Sequence, residues 1–232
     1  MRGAKAHQTG AVFSHEIIVM PTLSMRTEDK DYAVAFAIPS DAEGVVHILG
    51  RQSCDTRKLE GSPIDVGNAT FGGHEALVVL DNVFVPSARV FMDGEWRFSR
   101  VLVERFAGYH RQSYGGGKVG VGDVLIGAAA TAAEYAGVAE ASHIKRKLGE
   151  MIHLNETLYA CGLSCSATGR ATPLGTYLVD LLLANVCKQN VTRFPYEIAR
   201  LAKDLAGGLM VTMPSEKDLN HPEIGPLVEK YQ

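Results

Sequence analysis

The sequence predicts an α+β fold, with an antiparallel β-barrel or sandwich over residues 1–94 and an α-helical bundle portion over residues 95–232. Three observations predict it. Short apolar segments separated by turn-forming residues fill the first ninety or so positions. After Trp96 the apolar spacing changes to intervals of three and four. Neither part carries an internal repeat or a low-complexity tract.

In the first part, Glu16 to Met20, Tyr32 to Ile38 and Val45 to Leu49 read as strands. Ala76 to Leu80 and Val83 to Val85 are split by Asp81-Asn82, which predicts a tight hairpin turn between two further strands. Such spacing suits a small antiparallel barrel or sandwich. Pro86 and Asp93-Gly94 punctuate the exit.

The second part follows helical periods. Ile144, Leu148, Met151, Ile152, Leu158, Cys161 and Cys165 fall mostly on one helical stripe. Val124 to Ala139 is rich in alanine, which predicts a tightly packed internal helix. Leu178 to Val186 is nearly all apolar and far too short for a bilayer, so it reads as a buried helix. Gly207-Gly208 is expected to end a helix running through Ile198 to Lys203.

Composition narrows the setting. A net charge of -3 over 232 residues gives no electrostatic reason to expect nucleic acid or an anionic membrane. No apolar run approaches the roughly 20 residues of a membrane span. The opening residues carry Arg2 and Lys5 but no apolar core of a secretory leader. Four cysteines (Cys54, Cys161, Cys165 and Cys187) are too sparse for a disulfide scaffold, which makes a reducing, cytoplasmic setting the expectation. The abrupt opening and the polar stretch from Pro214 to Glu223 suggest a chain cut at both ends.

The densest chemical segment is Tyr109 to Lys118. There His110, Tyr114 and Lys118 recur every four residues and share one side if the segment is helical. An imidazole, a phenol and an amine so placed can exchange protons with a substrate and orient it. The glycines at 115, 116 and 117 permit close backbone approach to a ligand. The alternative is a helix end followed by a glycine turn with His110 and Lys118 solvated. Val119 after Lys118 disfavours a phosphate-binding loop, and no strand is followed by a dinucleotide fingerprint.

A second segment, Gly72-Gly73-His74-Glu75, places a carboxylate just before an apolar strand. Glu75 there is either a general base or a surface charge beside a turn. Cys161 and Cys165 have a spacing that could present two thiolates to a metal, but their place on the apolar stripe favours packing. Ala6, His7, Gln8 and Thr9 form a polar loop early in the β part that by itself specifies no cofactor.

Taken together, GAKAHQTGAVFSHEIIVMPT, FGGHEALVVLDNVFVP, ERFAGYHRQSYGGGKVGVGD and LNETLYACGLSCS resemble the 4-hydroxybutyryl-CoA dehydratase/vinylacetyl-CoA Δ-isomerase family. That family lies within the 4-hydroxyphenylacetate 3-hydroxylase superfamily, which has the acyl-CoA dehydrogenase fold. The resemblance runs from about Gly3 to the C-terminus. It implies an N-terminal helical domain, a middle β-domain and a C-terminal helical domain, of which this chain would hold the middle and the incomplete last. It also implies FAD, a [4Fe–4S] cluster, an acyl-CoA substrate, and partnership as a homo-oligomer or with a complementing N-terminal fragment.

The implied reaction converts 4-hydroxybutyryl-CoA to crotonyl-CoA or shifts the double bond of vinylacetyl-CoA. By resemblance, His110 matches the family's cluster-ligating and proton-handling histidine, and Glu75 a catalytic carboxylate. Tyr114 and Lys118 match residues beside the substrate, while Ala6, His7, Gln8 and Thr9 match a stretch touching the flavin. Gly117 departs from the pattern, because the family has a cluster-ligating cysteine there. With two further ligands expected outside the chain, a cluster is not expected here. The competing expectations are a cluster-free aromatic hydroxylase and an inactive or scaffolding fragment.

Overall fold

The structure, a computed structural model, describes residues 1–50 and 75–231. It contains two compact units, Met1–Arg100 with Pro214–Gln232, and Val101–Met213.

The first unit is built on strands β1 (Gly3–Lys5), β2 (Glu16–Val19), β3 (Val34–Pro39), β4 (Val45–Leu49), β5 (Ala76–Leu80) and β6 (Val90–Asp93). They form two antiparallel three-stranded sheets, ordered β1-β5-β4 and β2-β3-β6. Val19, Phe36 and Ile38 from one sheet and Val78 and Leu80 from the other share a buried cluster with Ala11 and Val83. The arrangement is therefore a small sandwich. Alternation explains β5, where Ala76, Val78 and Leu80 turn inward and Leu77 outward. Strand β3 is buried on both faces from Ala35 to Ile38, and the register to β6 shifts between Ala35 and Phe36.

The hairpin expected at Asp81-Asn82 does not form. Both edges of β5 are already occupied, since Val78 pairs with Lys5 on one side and His47 on the other. Only Asn82 adopts a left-handed φ, 58°, whereas both favoured two-residue turns require a positive φ at the first central residue, here Asp81. The chain leaves β5 instead, and Val83 exchanges backbone hydrogen bonds with Met1. Strands β1 and β6 were not anticipated. Gly94, with φ 91°, ends β6 at the punctuation expected there.

Helix α1 (Ser99–Gln112) starts where fully buried Ser99 donates to the Trp96 carbonyl at 2.6 Å and accepts the Met25 amide at 2.8 Å. Helices α2 (Tyr114–Tyr135), α3 (Ser142–Ala167), α4 (Leu181–Val191), α5 (Phe194–Ala206) and the short α6 (Leu209–Thr212) follow. A small hairpin of β7 (Arg170–Ala171) and β8 (Tyr177–Leu178) joins α3 to α4. In the tail, α7 (Glu216–Leu219) and α8 (Gly225–Tyr231) belong to the first unit.

On α3 the inward seam is Ile144, Leu148, Met151, Asn155, Leu158, Gly162 and Cys165, alternating steps of four and three. Ile152 falls off it and is exposed. The seam packs against Ala129 and Ala133 of α2 and Ile198, Leu201 and Leu205 of α5. Two expectations need correction. Helix α2 is packed on one side only, with Val124 and Tyr135 exposed. The Leu178–Val186 run is part strand and part helix, because the Asp180 carboxylate caps α4 by accepting the Leu183 amide. Leu182 and Val186 are exposed, so α4 is not buried all round. Gly207, with φ 68°, ends α5 as its position predicts. Among the described residues, no helix is long and apolar enough to cross a membrane.

Candidate functional site

The expected site residues fall into two groups, one in each unit. In the first unit, Glu75 immediately precedes β5, and its carbonyl accepts the Gly50 amide at 2.9 Å. After β1 the chain turns at His7, which has a left-handed φ of 62°, an uncommon conformation outside glycine. Gly10 is also left-handed, at 79°. Between these residues, the Gln8 amide donates to the Ala76 carbonyl at 2.9 Å, and the Gln8 side chain donates to the Ala6 carbonyl at 2.7 Å. The result brings Thr9 Oγ1 within 2.5 Å of Glu75 Oε2, to which it donates. Loop and carboxylate, separate in the sequence, are thus one constellation. Gly72, Gly73 and His74, which completed the expected glutamate segment, lie outside the described residues, as does Cys54.

In the second unit, the helical path hardly breaks between α1 and α2. Ser113 keeps helical angles, its amide bonds to the Tyr109 carbonyl, and its carbonyl accepts the Gly117 amide. The glycine turn of the alternative reading does not form, and 115–117 are the start of a helix, but His110 and Lys118 are both exposed, as that reading expected. Their roles differ. A Cβ on Gly115 would lie 2.5 Å from the Cα of Gly162, so these glycines let α2 and α3 cross backbone to backbone. Gly116 and Gly117 face open space, with nothing within 4 Å of an added Cβ.

Along this rod His110 stacks on Phe106 at 5.7 Å between ring centroids and makes a T-shaped contact with Tyr114 at 5.0 Å. Lys118, two turns beyond His110, is exposed. The sequence reading missed Lys188 of α4, whose Nζ sits 5.0 Å from the centre of the Tyr114 ring. It also missed Asn155, buried at the α2–α3 crossing, which donates to the Val119 carbonyl and to Asp123 Oδ1. Neither has a local signal, because both act between helices distant in the chain.

The cysteines behave as packing residues. Cys165 and Cys187 are fully buried, and Cys161 and Cys165 donate to the Leu183 and Asp180 carbonyls. Burial raises all three thiols, with Cys187 pushed up to about 11 by burial and then by the neighbouring Cys161. The described residues contain no group of three or more His, Cys, Asp or Glu side chains placed to hold a metal ion. They do not fit a [4Fe–4S] cluster: His110 offers one nitrogen, Gly117 no ligand atom, and the described thiols are taken up in packing, Cys161 partly and Cys165 and Cys187 fully buried. The Ala6–Thr9 loop exposes the His7 and Thr9 side chains on a turned backbone, polar groups that a bound cofactor could meet, and this geometry by itself specifies none.

Residues 1–92 match the family model for the 4-hydroxyphenylacetate 3-hydroxylase N terminal region, and residues 99–232 match that for the C terminal region. The chain belongs to the 4-hydroxyphenylacetate 3-hydroxylase family. It is 69% identical over 219 residues to 4-hydroxybutyryl-CoA dehydratase/vinylacetyl-CoA-Delta-isomerase of Clostridium aminobutyricum, covering 94% of this chain and 45% of that protein. An oxygen-tolerant archaeal 4-hydroxybutyryl-CoA dehydratase from N. maritimus superposes with a TM-score of 0.95 at 61% identity, covering 99% of this chain and 46% of that one. The oxygenase component HpaB of 4-hydroxyphenylacetate 3-monooxygenase, in complex with FAD, shares the fold at 24% identity, with a TM-score of 0.81 and 99% and 48% coverage. The acyl-CoA dehydrogenase-like fold extends to butyryl-CoA dehydrogenase of Megasphaera elsdenii at 14% identity, with a TM-score of 0.64 and 91% and 51% coverage. The chain spans about half the length of the curated relatives it matches.

Proposed function

We propose that this chain supplies the acid–base part of a flavin-dependent acyl-CoA dehydratase/isomerase, acting on 4-hydroxybutyryl-CoA and vinylacetyl-CoA. The observation that carries the reading is the 69% identity to the dehydratase/isomerase across 94% of the chain, against 27% for an aromatic oxygenase component. Glu75 takes and returns the proton on the carbon beside the thioester carbonyl, the most acidic C–H of an acyl-CoA. His110 handles the second proton, and Tyr114 and Lys118 orient the acyl group. Ala6, His7, Gln8 and Thr9 hold the flavin, FAD. The flavin, when bound, supplies reversible one-electron chemistry for a C–H bond that acid–base catalysis alone activates poorly.

The metal side is different. His110 without a cysteine at 117 leaves the chain short of a cluster, and no step above passes through one. The setting is cytoplasmic, and the working assembly is a homo-oligomer or a pairing with a separate N-terminal helical fragment.

Anaerobic purification followed by flavin absorbance, iron content and vinylacetyl-CoA isomerisation tests the reading. Crotonyl-CoA formation that disappears in Glu75→Gln, with little or no iron, is the expected result. Unchanged product formation by Glu75→Gln would remove Glu75 from the mechanism. Gly117 favours a second reading, cluster-free aromatic hydroxylation. That reading predicts hydroxylation of 4-hydroxyphenylacetate with reduced flavin and oxygen, and no acyl-CoA turnover.

A further inference from the structure

The contact between Thr9 and Glu75 spans 66 residues of sequence, yet its backbone is fixed on both sides. Glu75 is tied through its carbonyl to Gly50, and the neighbouring Ala76 carbonyl accepts the Gln8 amide. The Lys5↔Val78 pairing of β1 and β5 sets the approach, and the left-handed turn at His7 carries the chain back across the start of β5. A strained non-glycine conformation held beside a proposed acid–base residue persists only where surrounding contacts impose it.

A threonine hydroxyl has one proton to give and two lone pairs to receive. An ionised carboxylate can only accept, so Thr9 must point its proton at Glu75 in that state. Once Glu75 has taken a proton, its carboxyl can donate to Thr9 Oγ1, and the threonine proton is released toward another acceptor. We propose that Thr9 is a positioning residue for Glu75, and that its hydroxyl reverses direction with the protonation of that carboxyl. No proton is lost or gained at Thr9: the proton taken from substrate stays on Glu75, and only the hydroxyl rotates. The reversal makes the protonation state of Glu75 readable at the Ala6–Thr9 loop, where the flavin is proposed to sit. The inference rests on the acid–base reading of Glu75 given above.

Two variants separate positioning from loop structure. Thr9→Val keeps the shape and removes the hydroxyl, whereas Thr9→Ser keeps the hydroxyl. In the ligand-free chain labelled with 13C at glutamate carboxyls, the Glu75 signal, assigned with Glu75→Gln, should shift in Thr9→Val and return in Thr9→Ser. An unshifted signal in Thr9→Val overturns the proposal. With FAD bound and vinylacetyl-CoA in 2H2O, Thr9→Val should slow deuterium entry beside the thioester about 10- to 100-fold, the scale of a hydrogen bond to a charged group. The loss should fall on kcat, with KM within about twofold, and Thr9→Ser should recover it. If Glu75→Gln exchanges normally, the underlying function fails. If Glu75→Gln is dead while Thr9→Val exchanges like the parent chain, only the Thr9 inference fails.

Discussion

The two units solve the same problem, holding a titratable side chain steady, by opposite means. In the sandwich, Glu75 is held by one directional hydrogen bond from a residue 66 positions away. In the helical unit, exposed His110 lies between the rings four residues to either side, stacked on Phe106 and in a T-shaped contact with Tyr114. A hydrogen bond fixes an orientation and senses charge. Ring packing fixes a position and is less sensitive to which nitrogen carries a proton. The setting of Glu75 should therefore respond to single-atom changes, and that of the helical unit to changes of volume.

The largest expected effect tests the volume half of that contrast. A Cβ on Gly162 would stand 2.7 Å from the Cα of Gly115, so Gly162→Val forces backbone against backbone. Neither partner is a flexible side-chain tip that can move aside. A loss of about 3 kcal/mol or more is expected in urea unfolding, at the upper end of overpacking costs. A loss under about 1 kcal/mol would mean that the helices separate easily, and that the start of α2 is not held by this crossing.

Next in size is an alkaline effect confined to the helical unit. Buried Cys187 keeps its proton up to about 11, against an ordinary value of 9.0. Unfolding exposes the thiol and lets it ionise earlier, so its stabilising contribution is intact below about pH 9 and declines as pH rises toward 11. Raised Cys161 and Cys165 act in the same direction. The cost at the top of that window is about 2 kcal/mol, from roughly 1.4 kcal/mol per pH unit. Urea midpoints for the parent chain and Cys187→Ala at pH 8 and pH 10.5 should converge as pH rises. Parallel decline of the two would assign the alkaline loss to other groups.

How much of this was legible follows the same division. Strand β5 was read at its true limits because Ala76 to Leu80 alternates, and most of the Ile144–Cys165 stripe was read because helical spacing is local, with Ile152 exposed and Cys161 only partly buried beside it. The 110–114–118 row was also visible, since four residues make about one turn. What failed depended on distant partners. Val83 looks like the second arm of a hairpin until Met1 is known to bond it, and no pattern near Glu75 points to Thr9. Asn155 is a polar residue in an apolar seam, and only the crossing with α2 explains why it is kept there.

The smallest effect bears most directly on whether His110 and Tyr114 work as one unit. Lys188 places its ammonium 5.0 Å from the Tyr114 ring centre, on a half-buried side chain of α4. A cation over an aromatic face contributes about 0.5–1 kcal/mol at such a site. Lys188→Gln removes the charge while keeping much of the stem, and should cost about that much in urea unfolding, with Lys188→Arg near the parent chain. The ring column should also loosen, because one face of Tyr114 loses its attraction while the His110 contact remains. Aromatic-ring NMR signals of Tyr114 and His110 should then shift together in Lys188→Gln. If Tyr114 moves and His110 does not, ring packing holds each side chain separately, and the contrast with the single-bond coupling of Thr9 to Glu75 becomes sharper still.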